Sequence, residues 1–253
     1  MSSFTSRELF AKVPAVTAYF WIIKVLSTTV GETFADYLNN TLGLGLGNTA
    51  LIMTAALAVI LTIQFALKRY VPLVYWLTIV AISTVGTLIT DNLHDGFGVE
   101  NWQSILVFGL ALIVTFAIWH RREGTLEMKS INTRSREGFY WLAILFTFAL
   151  GTAGGDIFLD DLGIPLLYTF IGFAVALALV ALAWNRKLIG GVTAFWIGYV
   201  LTRPLGASLG DLLSQPKTDT GLGLGPTTTS IIFLTLIAAL VGYLTITKRD
   251  RIN

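Results

Sequence analysis

WIIKVLSTTVGETFAD, residues 21–36, decides how this chain folds. A tryptophan is followed ten residues later by a glycine and five residues after that by an aspartate, inside an otherwise apolar run. The same spacing returns, without gaps, in WLTIVAISTVGTLITD (76–91), WLAILFTFALGTAGGD (141–156) and WIGYVLTRPLGASLGD (196–211). Four copies of one helical segment imply four copies of one structural unit.

Working outward, each copy lies in a run long enough to cross a bilayer, and each is followed by a second, plainer apolar run. Spans of about 18–22 residues fall at 14–35, 48–67, 71–90, 102–119, 138–155, 165–184, 188–210 and 227–246. With 55% hydrophobic and only 13% charged residues, the chain leaves no room for a soluble domain. The expected fold is an all-α integral membrane protein of eight transmembrane helices, arranged as four parallel helical hairpin repeats. Residues 1–13 are polar and weakly amphipathic and lack a small-residue cleavage site, so no cleaved signal peptide is expected.

Charge sorts by side. Of 17 Lys and Arg, 14 fall in the termini and the loops at 68–69, 121–136 and 186–187, which places both termini in the cytoplasm. The other face carries nine carboxylates, among them Asp36, Asp91, Asp156 and Asp211, against Lys217 alone. The formal net charge of +2 therefore conceals an acidic outer surface. There is no cysteine, which removes disulfides and thiolate metal sites.

Trp21 to Trp76 and Trp141 to Trp196 are each 55 residues apart, whereas Trp76 to Trp141 is 65. The extra length coincides with the polar stretch 120–136. The chain thus divides into two halves, 1–125 with spans one to four and 126–253 with spans five to eight. Every repeat holds an even number of spans, so all four share one orientation, related by an axis along the membrane normal. The loops GLGLGNT (43–49) and GLGLGPT (221–227) also match. They read as interfacial connections whose Thr or Asn caps the next helix, or as segments that dip back into the membrane.

This pattern resembles a family of bacterial inner-membrane proteins built from four tandem two-helix repeats of unknown function, each with a characteristic tryptophan ("uncharacterised membrane-anchored protein"). The resemblance implies a bacterial inner-membrane location and brings no activity.

Within each copy, the Trp sits near the cytoplasmic end, where it anchors at the headgroups or packs. The Gly belongs to a small-xxx-small pair, which suits close helix approach, and lies about 140° around the helix from the Asp. Steps of four back from the Asp trace one stripe per odd helix: Lys24, Thr28, Glu32 and Asp36; Ile79, Ser83, Thr87 and Asp91; Ile144, Phe148, Thr152 and Asp156; Tyr199, Arg203, Ala207 and Asp211. The even spans have no interior charge, so odd helices are expected inside and even helices outside. Glu32 and Arg203 are close enough in depth to pair across the bundle.

Two readings of the aspartates stand side by side: helix ends that cap or tie the neighbouring loop, or the mouth of a cation pathway. For the interior charges a functional role is expected, because a lone charge there is costly. The leading expectation is a transporter or permease for a small solute, most naturally a cation, with Glu32 as a proton-coupling group. The pathway would be lined by Lys24, Thr28, Glu32, Asp36, Ser83, Thr87, Asp91, Thr152, Asp156, Arg203 and Asp211. If the solute is a metal, the candidate ligands are Asp36, Asp91, Asp156 and Asp211, which suit a hard divalent ion. The alternative is a non-transporting scaffold or partner subunit whose polar stripes serve packing. GASLG (206–210) spells a nucleophile-elbow pattern but lies in a span, and no H-E-x-x-H, C-x-x-C or nucleotide loop occurs, so no enzyme is expected. The expected partners are the lipid bilayer and a small solute or ion, with no nucleic acid and no cofactor; an oligomer is compatible.

Overall fold

The computed structural model describes residues 11–252; the polar stretch expected at the extreme N-terminus lies largely outside the described residues. Eight α-helices form: α1 (Ala18–Asp36), α2 (Leu46–Ala66), α3 (Pro72–Asp91), α4 (Asn101–Glu123), α5 (Arg134–Asp156), α6 (Leu166–Asn185), α7 (Gly191–Ser214) and α8 (Pro226–Thr247), with no strand among the described residues. Local chemistry sets their starts. Thr17 caps α1 by accepting from Phe20 N, Thr133 caps α5 by accepting from Arg136 N, and Pro72 and Pro226 occupy the first turns of α3 and α8.

Six helices are long and apolar enough to cross a membrane, and α1 and α7 are the two that fall short. These are the helices carrying Lys24 and Glu32, and Arg203, the interior charges that the sequence places inside the first and seventh spans.

Burial separates two layers. Helix α3 buries fifteen of its twenty residues, whereas α2 buries only Thr49, Leu57 and Gln64. The odd helices form a closed ring, α1 against α3, α3 against α5, α5 against α7 and α7 against α1. The repeated glycines build that ring. A Cβ on Gly31 would collide with Ser83, on Gly86 it would lie 2.8 Å from Phe148 Cβ, on Gly151 2.6 Å from Arg203 Cβ, and on Gly206 it would collide with Thr28. Each glycine thus meets the same stripe position of the next odd helix. The residue that must be small and the residue that faces inward are two halves of one contact.

The even helices depart from simple hairpins. Helix α2 lies mainly on α3, α4 on α5, α6 on α7 and α8 on α1. Each outer helix therefore covers the odd helix of the following repeat, and α8 closes the circle onto α1. The connection at the aspartate end is long enough to carry the chain over one seam: α1, α3 and α5 each run on into a π-helical turn, Tyr37–Thr41, Asn92–Gly96 and Ile157–Asp161.

The two glycine-rich loops are surface caps, but not through Asn or Thr as expected. Gly45 and Gly225 hold the cap positions at φ of +76° and +77°, where no side-chain cap forms. The amides of Leu222, Leu224 and Gly225 donate to the last carbonyls of α7, and that of Gly223 to the carbonyl of Gln215 just beyond it.

Candidate functional site

Arg203 is the centre of the ring. It is 0% exposed and all three guanidinium nitrogens are engaged. Nη2 donates to Glu32 Oε2 at 2.6 Å and to the Thr87 hydroxyl; Nε donates to Thr152 Oγ1 at 2.9 Å; Nη1 donates to the Thr28 carbonyl at 2.8 Å and to Ser83 Oγ at 3.5 Å. One side chain from α7 thereby touches α1, α3 and α5. The expected pairing of Glu32 with Arg203 is present, and the Thr28, Ser83, Thr87 and Thr152 stripe positions meet at the same point. The hydroxyls of Thr87 and Thr152 also donate to carbonyls one turn back in their own helices, so they accept from Arg203 without losing their own partners. Pro204 follows directly and cannot donate a backbone N–H inside α7.

On the aspartate side of this node exposure rises. The Glu32 side chain is 16% exposed, and Asp36, Asp91 and Asp156 are half-buried, with Asp211 more buried. Asp36, Asp91 and Asp156 are the last α-helical residues before the π-helical turns, and none of them caps its turn through the side chain. Among the described residues, Asn40 donating to Asp36 Oδ1 at 3.3 Å is the one side-chain hydrogen bond to these four carboxylates. Asp36 thus keeps one tie to its own π-helical turn, whereas Asp91, Asp156 and Asp211 have no side-chain tie among the described residues. The metal-ligand reading changes too. No group of three or more His, Cys, Asp or Glu among the described residues converges as a metal cage, because the four aspartates stand on four different helices rather than at a point.

Below the node the centre is closed. Lys24, fully buried, donates from Nζ to Thr202 Oγ1 at 3.1 Å and lies 4.1 Å and 4.2 Å from the ring centroids of Phe148 and Tyr199. It forms no ion pair among the described residues; aromatic faces stand where a carboxylate would. Beneath it lies an aromatic floor. Trp76, Trp141 and Trp196 are buried in the bundle, so of the two expected roles, anchoring and packing, these three take packing. The residue before each repeated tryptophan is also aromatic (Phe20, Tyr75, Tyr140 and Phe195), a signal present in the sequence that the Trp–Gly–Asp spacing did not include. The Tyr75 and Tyr140 hydroxyls pair at 2.5 Å, and Phe20 packs on both Trp76 and Phe195.

The tryptophan end is sealed by a segment that sequence reasoning missed. Residues 11–16 cross it, with Lys12 Nζ 2.6 Å from Glu137 Oε2 and bonded to the Phe65 carbonyl, while Gln64 donates to the other oxygen of Glu137. Ala15 N donates to the Asp250 carbonyl and the Tyr70 hydroxyl to Asp250 Oδ2 at 2.5 Å, tying the two ends of the chain together. Burial raises the Asp250 carboxyl above its ordinary range, and the Tyr70 hydrogen bond offsets part of that rise. Ser208 of the GASLG run bonds back to Pro204 O, and no histidine approaches it, so it has no nucleophile geometry.

No curated protein and no solved structure shows significant similarity to this chain. Residues 19–70, 74–125, 139–187 and 194–250 each match the family model described as Repeat of Unknown Function (DUF347), one match for each odd–even helix pair. The chain, with its four tandem copies, belongs to the DUF347 repeat family.

Proposed function

We propose that this protein is a multi-pass permease of the bacterial inner membrane, with both termini cytoplasmic and its four repeats in parallel orientation. Its aspartate end would be an outward-facing vestibule for a small cation, and its Arg203–Glu32 node the central gate. The observation that carries this reading is Arg203 itself: a buried guanidinium joining all four odd helices, directly beneath four carboxylates of which only Asp36 has a protein hydrogen bond. A ring of carboxylates at a pore mouth concentrates cations. Because those carboxylates do not converge, they suit an ion that keeps its water shell on entry, as Mg²⁺ does, or a small organic cation.

The gate follows from competition for one carboxylate. A cation or proton reaching Glu32 weakens its hold on Arg203. Released guanidinium retains only neutral acceptors, and α7 can yield next to Pro204, where a helical hydrogen bond is missing. Passage further inward would need Lys24 and the aromatic floor to move, and the Lys12–Glu137 closure to open.

A second reading, a membrane scaffold whose polar stripes serve packing, is favoured by one observation: from Arg203 through Lys24 to Tyr140 the centre is fully buried. Uptake into proteoliposomes separates the two. The permease reading expects influx of at least one of Mg²⁺, Mn²⁺, K⁺ or an alkylammonium ion, altered by a pH gradient and lost in Glu32→Gln. A scaffold gives no flux above empty vesicles for any of them.

A further inference from the structure

The four repeats differ at one point that leaves a gap in the wall. Two residues after each repeated tryptophan stand Ile23, Thr78, Ala143 and Gly198. The first three are fully buried side chains filling a seam. Gly198 has none, and Trp21 of α1 lies over it, with a Cβ there only 3.3 Å from Trp21 Cη2 and 3.5 Å from Leu177 Cδ1. Trp21 is also the one repeated tryptophan that is not buried. Beside Gly198, where α1 meets α6 and α7, a side-opening groove of about 1020 Å³ lies near the tryptophan end, with Trp21, Leu177, Trp184 and Ala194 in its apolar wall. Its lining also holds two basic side chains, Lys129 and Arg251, and one carboxylate, Glu127. Lys129 is 70% exposed and meets Glu127 only loosely, at 3.8 Å; Arg251 is exposed and forms no ion pair among the described residues.

We propose that this groove is a binding site for one anionic phospholipid, its acyl chains against Trp21 and Leu177 and its phosphate between Lys129 and Arg251. The inference rests on the reading of the protein as membrane-spanning with this end at the cytoplasmic leaflet. Charge complementarity supplies the argument for the occupant. An apolar cleft that opens sideways and carries two exposed cations, one of them only loosely held by Glu127, matches a lipid that is apolar along its length and negative at its tip. A zwitterionic lipid would fill the cleft but gain little from the cations. Residues 14–16 of the crossing segment, with Thr17 and Ala18 at the start of α1, also line the groove, so an occupied site would brace the closure at Lys12.

The test uses the full chain in phosphatidylcholine vesicles, with rising fractions of phosphatidylglycerol or phosphatidylcholine brominated on the acyl chains, and reads quenching of tryptophan fluorescence. Trp21 and Trp184, both in the wall, supply the saturable part of the signal, above the unsaturable quenching of exposed Trp102. The expected result is a saturable quenching step at low mole fraction, reached with phosphatidylglycerol at a concentration about tenfold lower than with phosphatidylcholine, as two basic contacts warrant. Lys129→Glu with Arg251→Glu, both on exposed positions, should bring the two lipids to within about twofold. Ala194→Phe should shrink the saturable step for both lipids while the circular dichroism spectrum stays unchanged. Equal affinity for the two headgroups in the unmodified protein, or a preference that survives the charge reversal, overturns the proposal. Quenching by neither lipid at any fraction overturns the membrane reading as well, whereas a failure of solute uptake leaves this site standing.

Discussion

Replacing Arg203 by Met keeps most of the side-chain length but removes the charge that joins four helices, and the cost can be worked out contact by contact. Thr87 and Thr152 keep their own i−4 carbonyl partners when the guanidinium goes, so losing those two bonds is cheap. The expensive term is Glu32, left in the bundle without its cation. Breaking a buried pair by removing one partner costs about 3–5 kcal/mol. Glu32 is 16% exposed and can be partly rehydrated, which argues for the lower end, about 3 kcal/mol. Glu32→Gln is milder, about 1–2 kcal/mol, because Arg203 keeps the Thr28 carbonyl and three hydroxyls as acceptors and the amide still accepts one bond. The double variant should cost less than the sum by about 2 kcal/mol, since neither partner then faces an absent charge. Reversible unfolding of all four proteins in mixed detergent micelles measures the cycle. Additivity within about 0.5 kcal/mol would show that the two side chains are neighbours without being energetic partners, and the node would lose its role.

Other outcomes follow from the same contacts. Gly86→Leu and Gly151→Leu should abolish assembly, because even a Cβ would lie 2.8 Å and 2.6 Å from the next helix; Asp156→Asn should fold normally, and normal accumulation of the Leu variants alongside loss of the Asn variant would reverse the packing and polar faces. An engineered cysteine at Asn40 should react with an impermeant thiol reagent on intact cells and one at Lys129 should not; the opposite pattern inverts the topology. The raised carboxyl of Asp250 means that the folded state binds its proton more tightly than the unfolded chain, so its contribution is present at low pH and is lost as pH rises through the folded-state value. Asp250→Asn should therefore gain in relative melting temperature from pH 4 to pH 7.5, and a flat or falling difference contradicts the assignment.

Much of the inner ring was legible in the sequence because it obeys one local rule. Residues four apart share a face, so the stripes ending in Asp36, Asp91, Asp156 and Asp211 could be drawn without coordinates, and Glu32 and Arg203 emerged as partners from depth alone. The glycine face was legible for the same reason. What lay beyond reach depends on which helix lies next to which. Periodicity says that α2 has a plain exterior, but not that it covers α3 rather than α1; loop length alone allows both. The Lys12–Glu137 pair joins residues 125 apart in sequence, and no local pattern marks either one. The role of the repeated tryptophans stayed open between anchoring and packing because a membrane-interface tryptophan and a buried one look alike until the aromatic residue before each is taken into account. The four aspartates were the reverse case: a helix-end carboxylate usually caps something, and only the coordinates leave Asp91, Asp156 and Asp211 without a hydrogen-bonding side chain.

Cysteine accessibility across the node tests the gate most directly. Ala207 lies one turn toward the vestibule from Arg203, and Thr202 lies beside Lys24 on the far side. With Ala207→Cys and Thr202→Cys made separately in right-side-out vesicles, the account predicts that a small charged thiol reagent outside modifies Cys at 207 and spares Cys at 202. Glu32→Gln, which loosens Arg203, should then expose position 202 to the same reagent. Protection of both positions in both backgrounds would mean a dry, permanently packed centre, and would contradict a gated path between the odd helices.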